Sequence, residues 1–302
     1  MVDGLYGLPP QGLENAPAGA VQVSPLIPGA ARLEEIREGS LVRLVVVAPP
    51  GTIERRHVLG LGLKAVADGG EMIVMAPKLK GGARLGDELR AFGCDTEESA
   101  RRHHRICRVA RPSRPVGVEE AIEAGAPRFV AAFGLWSQPG VFSWDRTDPG
   151  SALLLDHLPA LSGRGADFGC GIGVLDRAVL AAPKVTALTG IDVDRRAIDA
   201  ARRNLDDPRV ELRWLDLRAS SPGLDRLDFV VMNPPFHGGG GAEDQDLGRL
   251  FIGRAAESLR PGGVLWFVAN RHLPYEAVLK PLFRQVRPVA ERAGFKVVEA
   301  RR

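Results

Sequence analysis

The 302-residue chain contains few cysteines, no long apolar run and no leader-like start. Its three cysteines, Cys94, Cys107 and Cys170, share no spacing typical of metal ligands, so we expect neither a zinc site nor a disulfide framework. No apolar stretch approaches the roughly 18 residues that a membrane helix needs. The first 20 residues have neither a basic patch nor an apolar stretch, so we expect no signal peptide. These absences predict a cytoplasmic protein with no metal and no membrane partner.

The overall charge is close to balance, but its distribution is uneven. The chain has 40 basic and 37 acidic residues, and a net charge of +3 does not by itself indicate a nucleic-acid binder. Residues 101–115, RRHHRICRVARPSRP, contain six arginines, two histidines and no acidic residue. Such a stretch suits contacts to phosphates, which do not depend on base sequence, although a solvated face or an inter-domain linker would look the same. The candidates for these contacts are Arg101, Arg102, Arg105 and Arg108.

The two halves of the chain differ in their organisation. Residues 1–40 are rich in proline and glycine and show no sustained periodicity, which predicts an irregular arm. From Ser151 onward, strand and helix patterns alternate, which predicts a mostly parallel, doubly wound sheet in an α/β protein. The predicted strands in this half include 185–192, 210–216, 227–232, 263–270 and 295–300, with a helix at about 275–285 before the last.

An internal repeat relates the two halves. The segment LVVVAPPG (44–51) aligns with FVVMNPPF (229–236), so that the two proline pairs coincide. Further on, DGGEMIVMAPK (68–78) aligns with PGGVLWFVANR (261–271), again with Gly-Gly on Gly-Gly. Both copies read as strand, Pro-Pro, helix, Gly-Gly and strand. We interpret the repeat as a duplicated domain, with chance similarity between two generic strand–helix–strand units as the alternative.

A glycine-rich loop, DFGCGIG (167–173), lies between a predicted strand and a predicted helix. Glycines let the backbone turn sharply and approach a ligand closely, and the N–H groups at the helix start remain to bind it. Alone, the pattern suits NAD, FAD, S-adenosylmethionine or simply a tight turn. The candidate cofactor residues in this loop are Asp167, Gly169, Cys170, Gly171 and Gly173.

Two acidic residues at the next strand ends narrow the choice of ligand. Asp192 ends the following strand, where a carboxylate can bind both hydroxyls of a ribose, with Asp194 as the nearby competitor. Asp216 ends the third strand and could accept a hydrogen bond from an adenine amine, or else cap a helix. Because the carboxyl ends of parallel strands face one crevice, the glycine loop and these two aspartates together predict a nucleoside cofactor.

The fourth strand ends in Asn233-Pro234-Pro235-Phe236-His237. The two prolines lock the backbone and so fix where the Asn233 side chain, next to the cofactor, and the Pro234 carbonyl point. An exocyclic base amine is a poor nucleophile because its lone pair is delocalised into the ring. Two acceptors that hold its N–H groups would aim the lone pair at a methyl donor without a strong base. We further expect Phe236 to stack on a flipped-out base, and His237 to contact nucleic acid or to be an ordinary loop residue.

These motifs resemble the seven-stranded, Rossmann-like methyltransferases that use S-adenosyl-L-methionine to modify exocyclic amines. NPPFH, ANRHLPYEAVLKPLFRQV (269–286), FKVVEA and PGVFSWDRTDPGSALLL (139–155) are similar to the ribosomal RNA guanine-N2 methyltransferases of the RsmC/RlmG type. The resemblance covers 128–302 well and 41–125 more loosely. It implies transfer of a methyl group to guanine N2 in ribosomal RNA, 16S rather than 23S, with free RNA or a ribosomal subunit as the partner.

The resemblance also implies two methyltransferase-like domains. We expect a degenerate, truncated first domain at 1–127, able to help bind RNA, and a catalytic domain at 128–302. Ala48 occupies the position of Asn233 in the first copy. Only about 43 residues precede its strand, which are too few for a glycine loop and three strands. We expect a monomer.

Other functions fit parts of the pattern. Similar Asn-Pro-Pro-Phe motifs occur in methyltransferases for adenine N6 and for glutamine amide nitrogen in proteins. A 23S rRNA guanine-N2 methyltransferase and a non-catalytic RNA-binding protein are further alternatives, whereas the motif has no role in a nicotinamide oxidoreductase. Gly238–Gly241, which follow the motif, suggest either a mobile lid over the base or a connector with no role.

Overall fold

The computed structural model describes residues 2–234 and 242–302, and these form two compact units. The first unit extends to Arg128 and includes Gln138–Gly140, and the second comprises Phe129–Ser137 and Val141–Arg302. All three cysteines are free and buried. Among the described residues, no helix combines the length and the apolar character that crossing a membrane requires.

The first unit contains a six-stranded sheet and three α-helices. Its strands are β1 (Val2–Tyr6), β2 (Val21–Gln22), β3 (Leu41–Val47), β4 (Val66–Pro77), β5 (Thr96–Arg101) and β6 (His104–Ala110). Its helices are α1 (Thr52–Ala65), α2 (Leu85–Ala91) and α3 (Val118–Ala124), with 3-10 turns at Leu33–Glu35 and Gly82–Arg84. The strand order is β2-β1-β3-β4-β6-β5, in which the first four strands are parallel and the last two are antiparallel to their neighbours.

The prediction of an irregular arm over 1–40 was wrong. β1 pairs in parallel with β3, with Tyr6 opposite Val46, and β2 pairs with β1. Within β1, a Cβ at Gly4 would lie 2.8 Å from a methyl carbon of Leu41, so a glycine is needed there for close packing. Long-range pairing with β3 creates this strand, and local composition did not reveal it.

The second unit contains a seven-stranded sheet, as predicted. Its seven strands are β9 (Gly163–Phe168), β10 (Val185–Asp192), β11 (Val210–Trp214), β12 (Leu227–Met232), β13 (Leu259–Asn270), β14 (Gln285–Arg292) and β15 (Phe295–Arg301). Two shorter strands, β7 (Arg128–Val130) and β8 (Leu135–Ser137), form a separate sheet. The helices of the second unit are α4 (Pro149–His157), α5 (Val174–Leu180), α6 (Arg195–Asn204), α7 (Ala242–Ser258) and α8 (Glu276–Leu282). The order is β11-β10-β9-β12-β13-β15-β14, parallel through β13 and antiparallel beyond it.

Helices cover both faces of this sheet. Along β12, Val230 and Met232 belong to the same buried cluster as Ile252 of α7. The intervening Val231 belongs to the opposite cluster, which contains Val179 of α5. Because successive side chains of a strand point to opposite faces, this alternation sandwiches the sheet between α4, α5 and α6 on one side and α7 and α8 on the other.

The two units share one order of strands. Without β11, the second sheet reads β10-β9-β12-β13-β15-β14, which matches β2-β1-β3-β4-β6-β5 in order and in direction. β4 and β13 each have 12 residues and follow directly on a helix. Each also carries its Gly-Gly pair, Gly69-Gly70 or Gly262-Gly263, at the fourth and fifth positions. The repeat found in the sequence therefore has a counterpart in sheet topology.

Candidate active site at the carboxyl ends of the strands

The glycine-rich loop packs tightly against the end of β10. Gly169, Gly171 and Gly173 have φ angles of +84°, +55° and +88°, in the left-handed region that favours glycine. The backbone N–H groups of Gly169 and Cys170 both donate to the carbonyl of Ile191, at 2.8 and 3.0 Å. Gly173 then forms the N-cap of α5. The loop thus turns sharply at the centre of the sheet, where the sequence predicted a ligand.

Asp192 lies directly against this loop. Its carboxylate accepts hydrogen bonds from the backbone N–H groups of Gly171 and Asp194, both at 2.8 Å. Burial raises the pKa of Asp192 to about 6. Asp194, the alternative, accepts instead from the N–H of Arg196 as the N-cap of α6. The structure therefore brings Gly171 and Asp192 together and gives Asp194 a capping role.

Asp216 lies two residues beyond the end of β11. Its carboxylate accepts hydrogen bonds from the guanidinium of Arg218, at 2.8 Å for the Nη2–Oδ2 pair. Burial alone would raise the pKa of Asp216, but the hydrogen bonds from Arg218 lower it below its ordinary value. Asp216 is thus an ionised acceptor on the neighbouring strand, already bound to an arginine.

The amide of Asn233 is held by two residues that the sequence analysis did not single out. Its Nδ2 donates to the Asp148 carboxylate and to Ser151 Oγ, both at 2.8 Å. Asp148 also caps α4 by accepting from the backbone N–H of Ser151 at 2.7 Å. A carboxylate only accepts hydrogen bonds, so the amide nitrogen must face Asp148, which leaves the amide oxygen to accept from a ligand. The Asp-Pro-Gly-Ser sequence is typical of a helix start, but nothing local indicates its partner 85 residues later.

A cavity of about 280 Å³ within the second unit is lined by the glycine loop, the start of α4 and the residue after β12. Gly169, Gly171 and Asn233 line it, and a Cβ placed on Gly169 would lie 4.0 Å from the Asn233 carbonyl oxygen. Asp148 and Ser151 contribute further polar groups. It is also lined by the apolar side chains of Phe133, Leu135 and Phe142 and by the positively charged Arg146 and Arg177. The cavity therefore combines a glycine loop, an oriented amide and apolar walls.

Two buried carboxylates lie beneath the loop. Asp167 and Asp176 are fully buried, and within the described part of the chain no residue outside this pair donates a hydrogen bond to their side-chain oxygens. Burial raises the pKa of Asp167 well above its ordinary value and that of Asp176 to about 7. Two adjacent carboxylates in this setting cannot both ionise, so Asp167 keeps its proton and donates it to Asp176, whose own proton is lost near pH 7. Burial also raises the pKa of the Cys170 thiol, which therefore is not a nucleophile at neutral pH.

The structure describes only part of the segment that follows Asn233. Pro234 is buried after β12, whereas Pro235, Phe236, His237 and Gly238–Gly241 lie outside the described residues. No cluster of three or more His, Cys, Asp or Glu side chains suited to a metal ion occurs in the described ranges.

The arginine-rich stretch forms the end of β5, a turn and β6 in the first unit. Arg101 ends β5, and Arg102 donates to the carbonyl of Gln11 at 2.6 Å. Arg105 and Arg108 form ion pairs instead, Arg105 with Glu98 and Arg108 with Glu14. This stretch is therefore part of a sheet and is not an inter-domain linker.

The strand order, the glycine loop and the Asn-Pro turn define a methyltransferase fold of the seven-stranded class. The residues present fit S-adenosyl-L-methionine, because open space beside Gly171 adjoins the strand-end carboxylate of Asp192 and the cavity of Asn233. The profile of the methyltransferase small domain family matches residues 132–299. The chain belongs to the ribosomal RNA small subunit methyltransferase C family.

Membership in this family follows from similarity over almost the whole chain. Ribosomal RNA small subunit methyltransferase C of Pseudomonas aeruginosa (strain LESB58) is 33% identical over 93% of this chain and 86% of its own length. The protein of that name from Alcanivorax borkumensis is 35% identical over 85% of this chain and 79% of its own length. In fold, the chain matches the T. thermophilus 16S rRNA N2 G1207 methyltransferase (RsmC) in complex with AdoMet and guanosine. The TM-score is 0.72 and the identity 24%, over 89% of this chain and 75% of that one.

Proposed function

We propose that this chain transfers a methyl group from S-adenosyl-L-methionine to the exocyclic N2 of a guanine in 16S ribosomal RNA. The names of its relatives support the substrate, and the T. thermophilus enzyme supports the base and the position. The observation that carries the proposal is the amide of Asn233, whose nitrogen is committed to Asp148 and Ser151. An oriented amide that lines a cavity beside a glycine loop suits an amine that must be directed toward a methyl donor.

The cofactor would lie between the glycine loop and the strand ends. Asp192 would bind the ribose hydroxyls, Asp216 the adenine amine, and the loop the remaining part of the molecule. When bound, S-adenosyl-L-methionine supplies an electrophilic sulfonium methyl group. The residues that we propose for this site are Asp167, Gly169, Cys170, Gly171, Gly173, Asp192, Asp216 and Asn233, with Asp167 acting from below the loop.

Methyl transfer would depend on positioning of the guanine amine. The Asn233 amide oxygen and the Pro234 carbonyl would accept its two N–H groups and so direct the nitrogen lone pair toward the cofactor. Pro235 would keep the turn rigid and Phe236 would stack on the base. As the N–C bond forms, the bond between the methyl carbon and the sulfur would break, with its electron pair left on a neutral thioether. The nitrogen would release one proton to water, and no strongly basic residue is required.

We also propose that residues 1–127 form a degenerate methyltransferase-like domain and 128–302 the catalytic one. The shared strand order supports a common origin. In the first copy Ala48 replaces the catalytic asparagine, and Arg55 fills the turn that follows. The Arg55 guanidinium donates to the carbonyls of Pro49 and Pro50, at 3.2 and 2.7 Å, so each of these acceptors already has a donor within the unit.

Within the first unit, we propose that a group of basic residues, called here the cationic turn, contacts RNA phosphates. It consists of Lys78, Lys80, Arg84, Arg101 and Arg102. The backbone N–H of Lys78, just after β4, donates to the carbonyl of His103 in the β5–β6 turn, at 2.8 Å. This contact joins two positively charged loops. Arg105 and Arg108 are neutralised in part by Glu98 and Glu14, so we expect smaller contributions from them.

The test is transfer of labelled methyl groups to separated 30S subunits, 50S subunits and free 16S and 23S rRNA, followed by nucleoside analysis. Label in N2-methylguanosine of 16S rRNA supports the proposal and distinguishes the assembled subunit from free RNA. Label in 23S rRNA, in N6-methyladenosine or in protein glutamine would contradict the target. Asn233→Ala is the inactive variant for comparison: it should fold and lose most turnover. Because the substrate is ribosomal, we assign the protein to the cytoplasm, and we propose that it acts as a monomer.

A further inference from the structure

We propose that Asp148 and Ser151 are positioning residues for methyl transfer, because they fix which face of the Asn233 amide meets the target amine. The inference rests on the proposed function, since it concerns the same site. Neither residue needs to touch the reacting atoms. Both act through Asn233, whose oxygen and nitrogen would have opposite effects on an incoming N–H group.

The geometry makes this triad a constrained unit. Asp148 and Ser151 are each only 8% exposed and line the same cavity as Asn233. Asp148 Oδ2 accepts from both the Ser151 backbone N–H and Asn233 Nδ2, while Ser151 Oγ receives a second hydrogen bond from Nδ2. Both N–H bonds of the amide nitrogen therefore have acceptors. Because Asp148 is also the N-cap of α4, its carboxylate is itself held in place.

An asparagine without such partners can present either end of its amide. If the amide were reversed, its NH₂ group would face the N–H groups of the base, and its oxygen would face the carboxylate of Asp148. Both contacts would be repulsive. The triad removes this alternative before substrate binds, which is the kind of preorganisation that positions a weak nucleophile. Hydrogen bonding to a carboxylate also polarises the amide and makes its oxygen a stronger acceptor.

A reciprocal exchange of the two side chains tests the proposal. In Asn233→Asp, two carboxylates would face each other, and we expect turnover to fall on the order of 10²-fold. Asp148→Asn keeps an oxygen that caps α4, and we expect a loss of less than about tenfold. In the double variant, the amide introduced at position 148 can donate to the carboxylate introduced at position 233. Turnover should then rise at least about tenfold above that of Asn233→Asp, since the charge repulsion is gone. A role for Asp148 in capping alone predicts no such rescue.

Ser151→Ala provides a second measurement that leaves the Asp148 cap intact. We expect kcat to fall about three- to tenfold, while the dissociation constant for S-adenosyl-L-methionine and the thermal unfolding temperature stay at wild-type values. Asp156→Asn is the matched control, since it makes the same chemical change as Asp148→Asn at an exposed position of α4 and should not alter turnover.

The outcomes separate this proposal from the function on which it rests. The turnover of each variant is compared with that of the wild-type protein on the rRNA that the wild type methylates. A wild-type chain that labels no rRNA overturns the proposed function and this inference with it. An active wild type whose Ser151→Ala variant turns over normally, or whose double variant is no faster than Asn233→Asp while folded and cofactor-bound, overturns the positioning role alone.

Discussion

The backbone N–H of Gly171 donates a 2.8 Å hydrogen bond to the carboxylate of Asp192, joining two motifs that lie 21 residues apart. The contact connects the middle of the glycine loop to the end of β10. The same carboxylate is the group proposed to bind the cofactor ribose. Asp192 therefore both shapes the loop and supplies a binding group.

Replacement of Asp192 should weaken cofactor binding more than it weakens the fold. For Asp192→Ala we expect the dissociation constant for S-adenosyl-L-methionine to rise roughly 10- to 100-fold, since a hydrogen bond to a charged group contributes about 1.5–3 kcal/mol. Isothermal titration calorimetry measures the constant directly. Glu211→Gln, at an exposed position on the neighbouring strand β11, is the control and should bind normally. Equal binding by Asp192→Ala and wild type would remove Asp192 from the site.

The first unit should depend on the ion pair of Arg55 and Glu88. Arg55 is 1% exposed and donates to both carboxylate oxygens of Glu88, at 2.7 and 2.6 Å. Arg55→Met leaves a buried carboxylate without its partner, so we expect a loss of about 3–5 kcal/mol in the free energy of unfolding. Adding Glu88→Gln should recover much of this loss. Urea denaturation of the three proteins checks the prediction, and additive losses in the double variant would contradict it.

RNA binding should depend more on the cationic turn than on the paired arginines of β6. Arg101→Gln should lower the affinity for 16S rRNA and reduce the slope of log K against log salt by about one. Arg108→Gln should have the smaller effect, because Arg108 already pairs with Glu14 at 2.5 Å. Filter binding between 50 and 200 mM salt, about the range over which phosphate contacts weaken strongly, measures both slopes. Indistinguishable slopes for the two variants would argue against the assignment.

Local patterns predicted most of the catalytic half but not its long-range contacts. β10 and β12 occupy the predicted ranges 185–192 and 227–232, because short segments rich in β-branched or aromatic residues between helical segments are typical of strands. By contrast, the helix expected over 275–285 ends at Leu282, and an unpredicted strand, β14, follows from Gln285. Pairing with β15 decides that strand, just as pairing with β3 decides β1. The contact of Asp148 with Asn233 was missed for the same reason, since it spans 85 residues.

The buried pair of Asp167 and Asp176 predicts an unusual dependence of stability on pH. The folded-state pKa of Asp176, about 7, lies above its ordinary value of 3.8. The folded state therefore holds a proton that the unfolded chain has released, and the stability present at low pH is lost as the pH rises from about 4 through about 7. Asp176→Asn cannot titrate and can donate to Asp167 at every pH.

We expect Asp176→Asn to unfold at a higher temperature than wild type at pH 8, by about 2–4 °C for each kcal/mol gained in a domain of this size. The advantage should be smaller at pH 5, where Asp176 of the wild type still holds its proton. Asp192 titrates in the same range, with a pKa of about 6, and its charge adds to the rise in the pKa of Asp176. Differential scanning calorimetry at the two pH values gives the comparison. A difference in unfolding temperature that is the same at both pH values would mean that Asp176 does not titrate between them.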